Sequence, residues 1–338
     1  VVTIERAQAL ADEVLFPAAS AVDAAGEVPR SHFDLLAQEG FYGLTAPPEH
    51  GGPGLGLVDS ARVFEALAGG CLTTAFVWAQ HHGVVHGIAT TDRAELRERY
   101  FADVVRGAVR GGVSFAGAVP QPPRLHATPV DGGYRLDGEA PFVSGWGLVD
   151  VLQLSARQDD LVVNGLVDAR PDTGIRVEPL ELVAAQATST VRLWFEDFFL
   201  PAERVLGVLP HADVLSAQAR GSWLNGSLPL GLTGRCARLI AEAGRPRVAE
   251  RLEAWRDDAR EELNAAFAAG ADIAPARAAA ADLALRAAGA LVTAAGSSAL
   301  LAGAHGQRLV REATFTLVAA SRPAIKDELL ELLAGGAR

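Results

Sequence analysis

Apolar residues in the first third of the chain recur at helical spacing. Ile4, Ala7, Ala11, Val14 and Leu15 share one face of a helix over residues 3–16, which Pro17 is expected to end or kink. Ser31 is a candidate cap for a second helix over 32–39, with Gly40 as its stop. The stretch Ala46-Pro47-Pro48-Glu49-His50-Gly51-Gly52-Pro53-Gly54 holds three prolines and three glycines in nine residues, which excludes helix and central strand. Helices are expected again over 57–69, 71–89 and 92–106.

The period changes near Gly111-Gly112. Short apolar runs follow, divided by turn signals such as Asp131-Gly132-Gly133, Asp137-Gly138 and Asp159-Asp160. Val191, Leu193 and Phe195 alternate with Arg192, Trp194 and Glu196, the period of a strand with one buried face. After Pro210 the helical period returns over 213–243, 247–268, 276–302 and 308–333, the last disturbed at Pro323. In the second of these, Val248, Leu252, Trp255, Ala259, Leu263 and Phe267 form the expected apolar stripe. The pattern predicts an α+β multidomain chain: an N-terminal helical domain over 1–111, a central antiparallel β-barrel or sandwich domain over 112–207, and a C-terminal four-helix bundle over 208–338.

Composition narrows the function classes. The 338 residues are 49% hydrophobic and carry a net charge of -11, with arginines scattered among acids. No basic face suggests nucleic acid, and no apolar run reaches the roughly 18–20 residues of a membrane span. Cys71 and Cys236 lie far apart, without zinc or disulfide spacing, and are expected to be buried thiols. Residues 1–16 mix charged and apolar positions rather than forming a signal peptide, so the expected location is cytoplasmic.

Helices, then strands, then helices is an uncommon order, and the motifs along it agree with one family. The segments Leu15-Phe16-Pro17-Ala18-Ala19, Leu36–Leu44 and Pro47-Pro48-Glu49-His50-Gly51-Gly52 resemble the entry helices and Pro-Glu-x-Gly-Gly loop of acyl-CoA dehydrogenases. Gly132–Gly138 followed by Phe142-Val143-Ser144-Gly145 is similar to that family's central strand pair, and Leu200–Gly207 to its exit from the β domain. The resemblance covers roughly 200 residues and identifies a short, actinobacterial-type member.

The resemblance implies FAD as cofactor, an acyl-CoA thioester as substrate, and α,β-dehydrogenation as the reaction, a role in lipid metabolism. Phe142, Val143 and Ser144 would meet the flavin, Ser144 by donating its hydroxyl or backbone N–H, and Ser114 would supply a second hydroxyl. Trp146 is a candidate pocket wall, and His81 and His82 fall where the family meets its acyl chain. His305 is a further candidate of the same kind.

The sequence departs from the family pattern in three places. Counting from Arg311-Glu312-Ala313, the usual catalytic glutamate falls on Ala320; its alternative position falls on Ala219. Alanine cannot take a proton, so no catalytic residue is assigned. Asp327, Glu328 and Glu331 follow the Ala320 position in the last helix, and one of them could replace the base if the helix is shifted. The Arg-x-x-Phe-Gly stretch is reduced to Ala243-Gly244-Arg245-Pro246-Arg247, and the Thr-Glu-Pro loop to Ser114–Pro120. The resemblance therefore implies either a homo-oligomer with a relocated base or the base-lacking subunit of a hetero-oligomer with a complete acyl-CoA dehydrogenase subunit. The alternatives are a flavin-dependent monooxygenase on the same fold and a scaffold subunit without flavin.

Overall fold

The computed structural model describes residues 2–320 and 322–335, with the side chain of Ala219 outside that description. Six helices come first: α1 (Ile4–Leu10), α2 (Phe16–Ala25), α3 (Arg30–Gln38), α4 (Leu57–Gly70), α5 (Leu72–Thr90) and α6 (Ala94–Val105). Thr3 caps α1 by accepting from the Arg6 N–H at 3.1 Å. Pro17 does not end the first helix. Residues Ala11–Leu15 form a π turn that joins α1 to α2, and Pro17 sits in the first turn of the latter. The widened turn accommodates a residue with no N–H and a ring that would crowd the preceding carbonyls.

Eight strands follow: β1 (Gly111–Ser114), β2 (Leu125–Val130), β3 (Gly133–Val143), β4 (Val151–Gln158), β5 (Leu161–Asp168), β6 (Ile175–Pro179), β7 (Val191–Pro201) and β8 (Val205–Pro210). They make one sheet in the order β6-β7-β3-β2-β4-β5-β8, with β1 also beside β4. The expected barrel is corrected here: β6 and β8 are separate edges, so the sheet stays open. Most pairs are antiparallel as expected, but β1 and β2 both run parallel to β4. Asp159-Asp160 is the tight β4–β5 hairpin, with Gln158 opposite Leu161. Asp137-Gly138, read as a turn, is instead a bulge inside β3, where the register against β7 shifts. Gly138 has φ 120°, and a Cβ there would lie 2.1 Å from the Arg124 carbonyl. The glycine lets β3 bend without interruption.

The remaining helices are α7 (His211–Asn225), α8 (Ser227–Glu242), α9 (Pro246–Ala268), α10 (Ala274–Ala295), α11 (His305–Val318) and α12 (Pro323–Ala334). Pro323 thus divides the last expected helix into two. The bundle centres on α10, which packs against α8, α9, α11 and α12. Extended to Leu300, α10 is long and apolar enough to cross a membrane, which the hydrophobic pattern had not indicated, yet half of its apolar window is buried in the protein. Along α9 the buried stripe is Ala249, Leu252, Ala259 and Leu263, whereas Val248 and Trp255 are largely exposed on its flank. Cys71 and Cys236 are both free and buried, and burial pushes the Cys236 thiol up to about 12.

Candidate functional site

The end of β3 carries an unusual backbone. Phe142 has φ 53° and leaves 64% of its surface exposed, while Val143 and Ser144 beside it are buried. The register against β7 shifts between Ala140 and Val143, so Phe142 is the residue the bulge ejects. A bulky aromatic in the left-handed region is a true outlier. Strain of this kind costs about 1–3 kcal/mol and collects at functional sites. Val143 returns to regular pairing opposite Val191 and packs in the core.

Ser144 ends the strand with its hydroxyl 2.7 Å from the Thr190 hydroxyl. Thr190 lies 2.8 Å from the Thr188 hydroxyl, which donates to the Ala185 carbonyl at 2.8 Å. All three hydroxyl residues are buried. The loop that presents them is bracketed by two more left-handed residues, Ala185 at φ 56° and Ser189 at φ 50°. Two backbone bonds fasten it: Gly145 N–H to the Thr188 carbonyl at 2.7 Å and Trp146 N–H to the Ser189 carbonyl at 3.2 Å. Trp146 is half-buried and packs against the core.

Ser114 stands at the end of β1 and is also buried, and its hydroxyl meets no hydrogen-bond partner. The strand passes close to Ser144, since a Cβ on Gly112 would sit 3.5 Å from the Ser144 carbonyl. The start of β1 thus approaches the end of β3, and Ser114 stands two residues further along β1. Thr188 and Thr190 were not singled out in the sequence. Their signal is the run Gln186-Ala187-Thr188-Ser189-Thr190, small hydroxyl residues directly before a strong strand.

His81, His82 and His305 each sit in packed surroundings. His81 accepts the Gly111 N–H on Nδ1 at 2.9 Å and donates Nε2–H to the Val104 carbonyl at 2.8 Å. Those two bonds fix one neutral tautomer that ties α5 to the end of α6 and the start of β1. Burial holds its imidazole down at about 4. His82 packs on Phe64 and Trp78, and burial drives it well below its ordinary value. His305 stacks on Phe16 at 4.2 Å and receives Arg308 on Nδ1 at 3.3 Å. Burial, then the nearby Arg308 and Arg235, push it to about 4. It borders a shallow, mostly apolar cleft of about 210 Å³ beside Leu239 and Leu291.

Ala320 lies in the connection between α11 and α12, exposed and with φ 50°. Ala219 falls within α7, but its side chain lies outside the described residues. Asp327, Glu328 and Glu331 are exposed on α12, away from the face that buries Ile325 and Leu329. Arg245 and Arg247 are exposed at the start of α9. Glu312, by contrast, is buried and paired with Arg308 at 2.6 Å; burial raises its carboxyl against the pull of that arginine. No cluster of metal-ligating side chains exists among the described residues.

Residues 3–108 match the sequence family described as the acyl-CoA dehydrogenase N-terminal domain. Over 154 residues the chain is 30% identical to benzylmalonyl-CoA dehydrogenase of Aromatoleum aromaticum, covering 44% of this chain and 41% of that protein. The chain spans about half the length of the curated relatives it matches. In three dimensions it aligns with butyryl-CoA dehydrogenase from Megasphaera elsdenii at a TM-score of 0.85 and 16% identity, over 98% of this chain and 96% of that one. The FAD complex of PigA aligns at 0.84 and 18% identity, over the same shares. At those identities the likeness is one of fold.

Proposed function

We propose that the chain is a member of the acyl-CoA dehydrogenase family and, from that premise, an FAD-binding oxidoreductase subunit acting on an acyl-CoA, whose own base position is occupied by alanine. The observation that carries this reading is the end of β3, where a strained, exposed Phe142 stands beside the buried Val143 and Ser144. An exposed aromatic held at φ 53° has no packing reason to be there, and an isoalloxazine face supplies one. The unpartnered Ser114 hydroxyl fits the same group, because a buried donor without a partner costs about 1–3 kcal/mol unless a ligand meets it. Bound FAD would accept the electrons of a C–H oxidation, which no side chain can do.

The residues of this chain then divide the work. Phe142 offers its ring, Val143 fixes the strand, and Ser114 and Ser144 orient the cofactor's polar edge. Ala320 stands at the expected base position, with Ala219 at the alternative, and neither can abstract a proton. The chain therefore acts as the base-lacking member of a mixed oligomer with a complete subunit. The same reading divides it at 1–111, 112–207 and 208–338. PigA has a solved complex with FAD, and benzylmalonyl-CoA dehydrogenase is named for a CoA ester; both support the reading.

The test is spectroscopic. The purified chain should carry FAD near one equivalent, visible as a yellow protein. Anaerobic addition of a panel of acyl-CoA esters should leave that flavin oxidised. A colourless chain that also fails to bind added FAD would remove the flavin reading. Rapid bleaching by an acyl-CoA with this chain alone would remove the base-lacking reading.

A further inference from the structure

The three buried hydroxyls beside Phe142 have a fixed direction. A carbonyl can only accept, so the Thr188 proton goes to the Ala185 carbonyl. With that proton used, Thr190 must be the donor in its 2.8 Å bond to Thr188. With the Thr190 proton used in turn, Ser144 must be the donor in its 2.7 Å bond to Thr190. The expected role of Ser144 as a hydroxyl donor to the flavin is thereby reversed: its proton points inward and only its lone pairs remain for an outside group.

We propose that Thr190 and Thr188 are positioning residues that lock the Ser144 hydroxyl as an acceptor, so that the site favours the reduced isoalloxazine, which carries an additional N–H, over the oxidised one. The inference rests on the proposed flavin site and adds its redox preference. Its premises are the terminal carbonyl, the two short hydroxyl contacts and the burial of all three residues, which keeps water from offering another partner. The left-handed Ala185 and Ser189 hold the loop in the one conformation that aligns the row. Ser114 complements it: its hydroxyl is uncommitted and can donate to a ring oxygen in either redox state.

The experiment measures dissociation constants of oxidised and dithionite-reduced FAD for the full chain and its variants. Thr190→Val deletes the acceptor of the Ser144 proton and lets that hydroxyl turn outward as a donor. The affinity ratio should shift toward oxidised FAD by about tenfold, which for a two-electron couple lowers the bound potential by about 30 mV. Thr188→Val should shift the ratio in the same direction, because the freed Thr190 proton can then be given to Ser144. Thr190→Ser keeps the row and should leave the ratio unchanged. A general packing defect would weaken both redox states alike, so the ratio separates the two causes. If one valine variant fails to fold by circular dichroism, the other carries the same expectation. An unchanged ratio in a folded valine variant that still binds flavin overturns the hydroxyl row alone. Absence of flavin binding by the wild-type chain overturns the row together with the proposed function.

Discussion

Ser114 buries a hydroxyl that the surrounding protein leaves without a partner. Removing such a group relieves an unpaid desolvation cost, so Ser114→Ala should keep or raise thermal stability, by up to about 1 kcal/mol. The same change should weaken FAD binding about fivefold, the worth of one hydrogen bond. Calorimetric melting and flavin titration on the same samples check both signs; loss of stability with unchanged flavin affinity would assign Ser114 to the fold. His81 makes a second residue-scale expectation. Its folded value near 4 lies below the ordinary 6.5, so between those values the unfolded chain binds the extra proton. Stability is therefore complete above pH 6.5 and declines as pH falls toward 4, by up to ~3 kcal/mol from this residue. In urea melts over that window, His81→Gln should start less stable and show a shallower pH slope than the wild type.

At the scale of elements, the crossing of α4 and α8 is set by two glycines. A Cβ on Gly231 would lie 2.2 Å from the Glu65 carbonyl, and one on Gly69 would lie 3.0 Å from the Gly231 carbonyl. Gly231→Ala must push the helices apart, at a cost of about 1–3 kcal/mol. Urea denaturation should read that loss, and an unchanged midpoint would mean the crossing is compliant. Glycines in a helical run gave no hint of this in sequence, because the reason for them sits more than 160 residues away. The same limit explains the other differences. The alternation at Val191–Phe195 and the helical stripes were readable because each element's own period reports its buried face. The π turn before Pro17, the Gly138 bulge and the parallel placing of β1 and β2 depend on neighbours that no local period records. Ser114 and Phe142–Ser144 were legible only through a resembling motif. Thr188 and Thr190 were missed because a hydroxyl row exists only once two distant strand ends meet.

For the molecule as a whole, the sheet is sandwiched in sequence between two helical sets that also touch each other directly through α4 and α8. A ligand seated at the ends of β1 and β3 would add contacts at the sheet near α5, whose Val77 approaches Gly145. A ligand that binds only the folded chain stabilises it by mass action, ~2.7 kcal/mol at a hundredfold excess over its dissociation constant. Added FAD should therefore raise the melting temperature of the entire chain in one cooperative transition. A melting temperature indifferent to FAD at every concentration would contradict a flavin site on this sheet.

Asp12, within the π turn, binds Arg235 and Arg238 of α8, partners over 220 positions away. A carboxylate near the start of the chain thus latches the first helices to the C-terminal bundle. Shaving off the opening dozen residues with a protease would leave two guanidinium groups on α8 without their counter-ion. Damage inflicted at the front would therefore reach the rear bundle through α8, as well as α4, on which α1 packs.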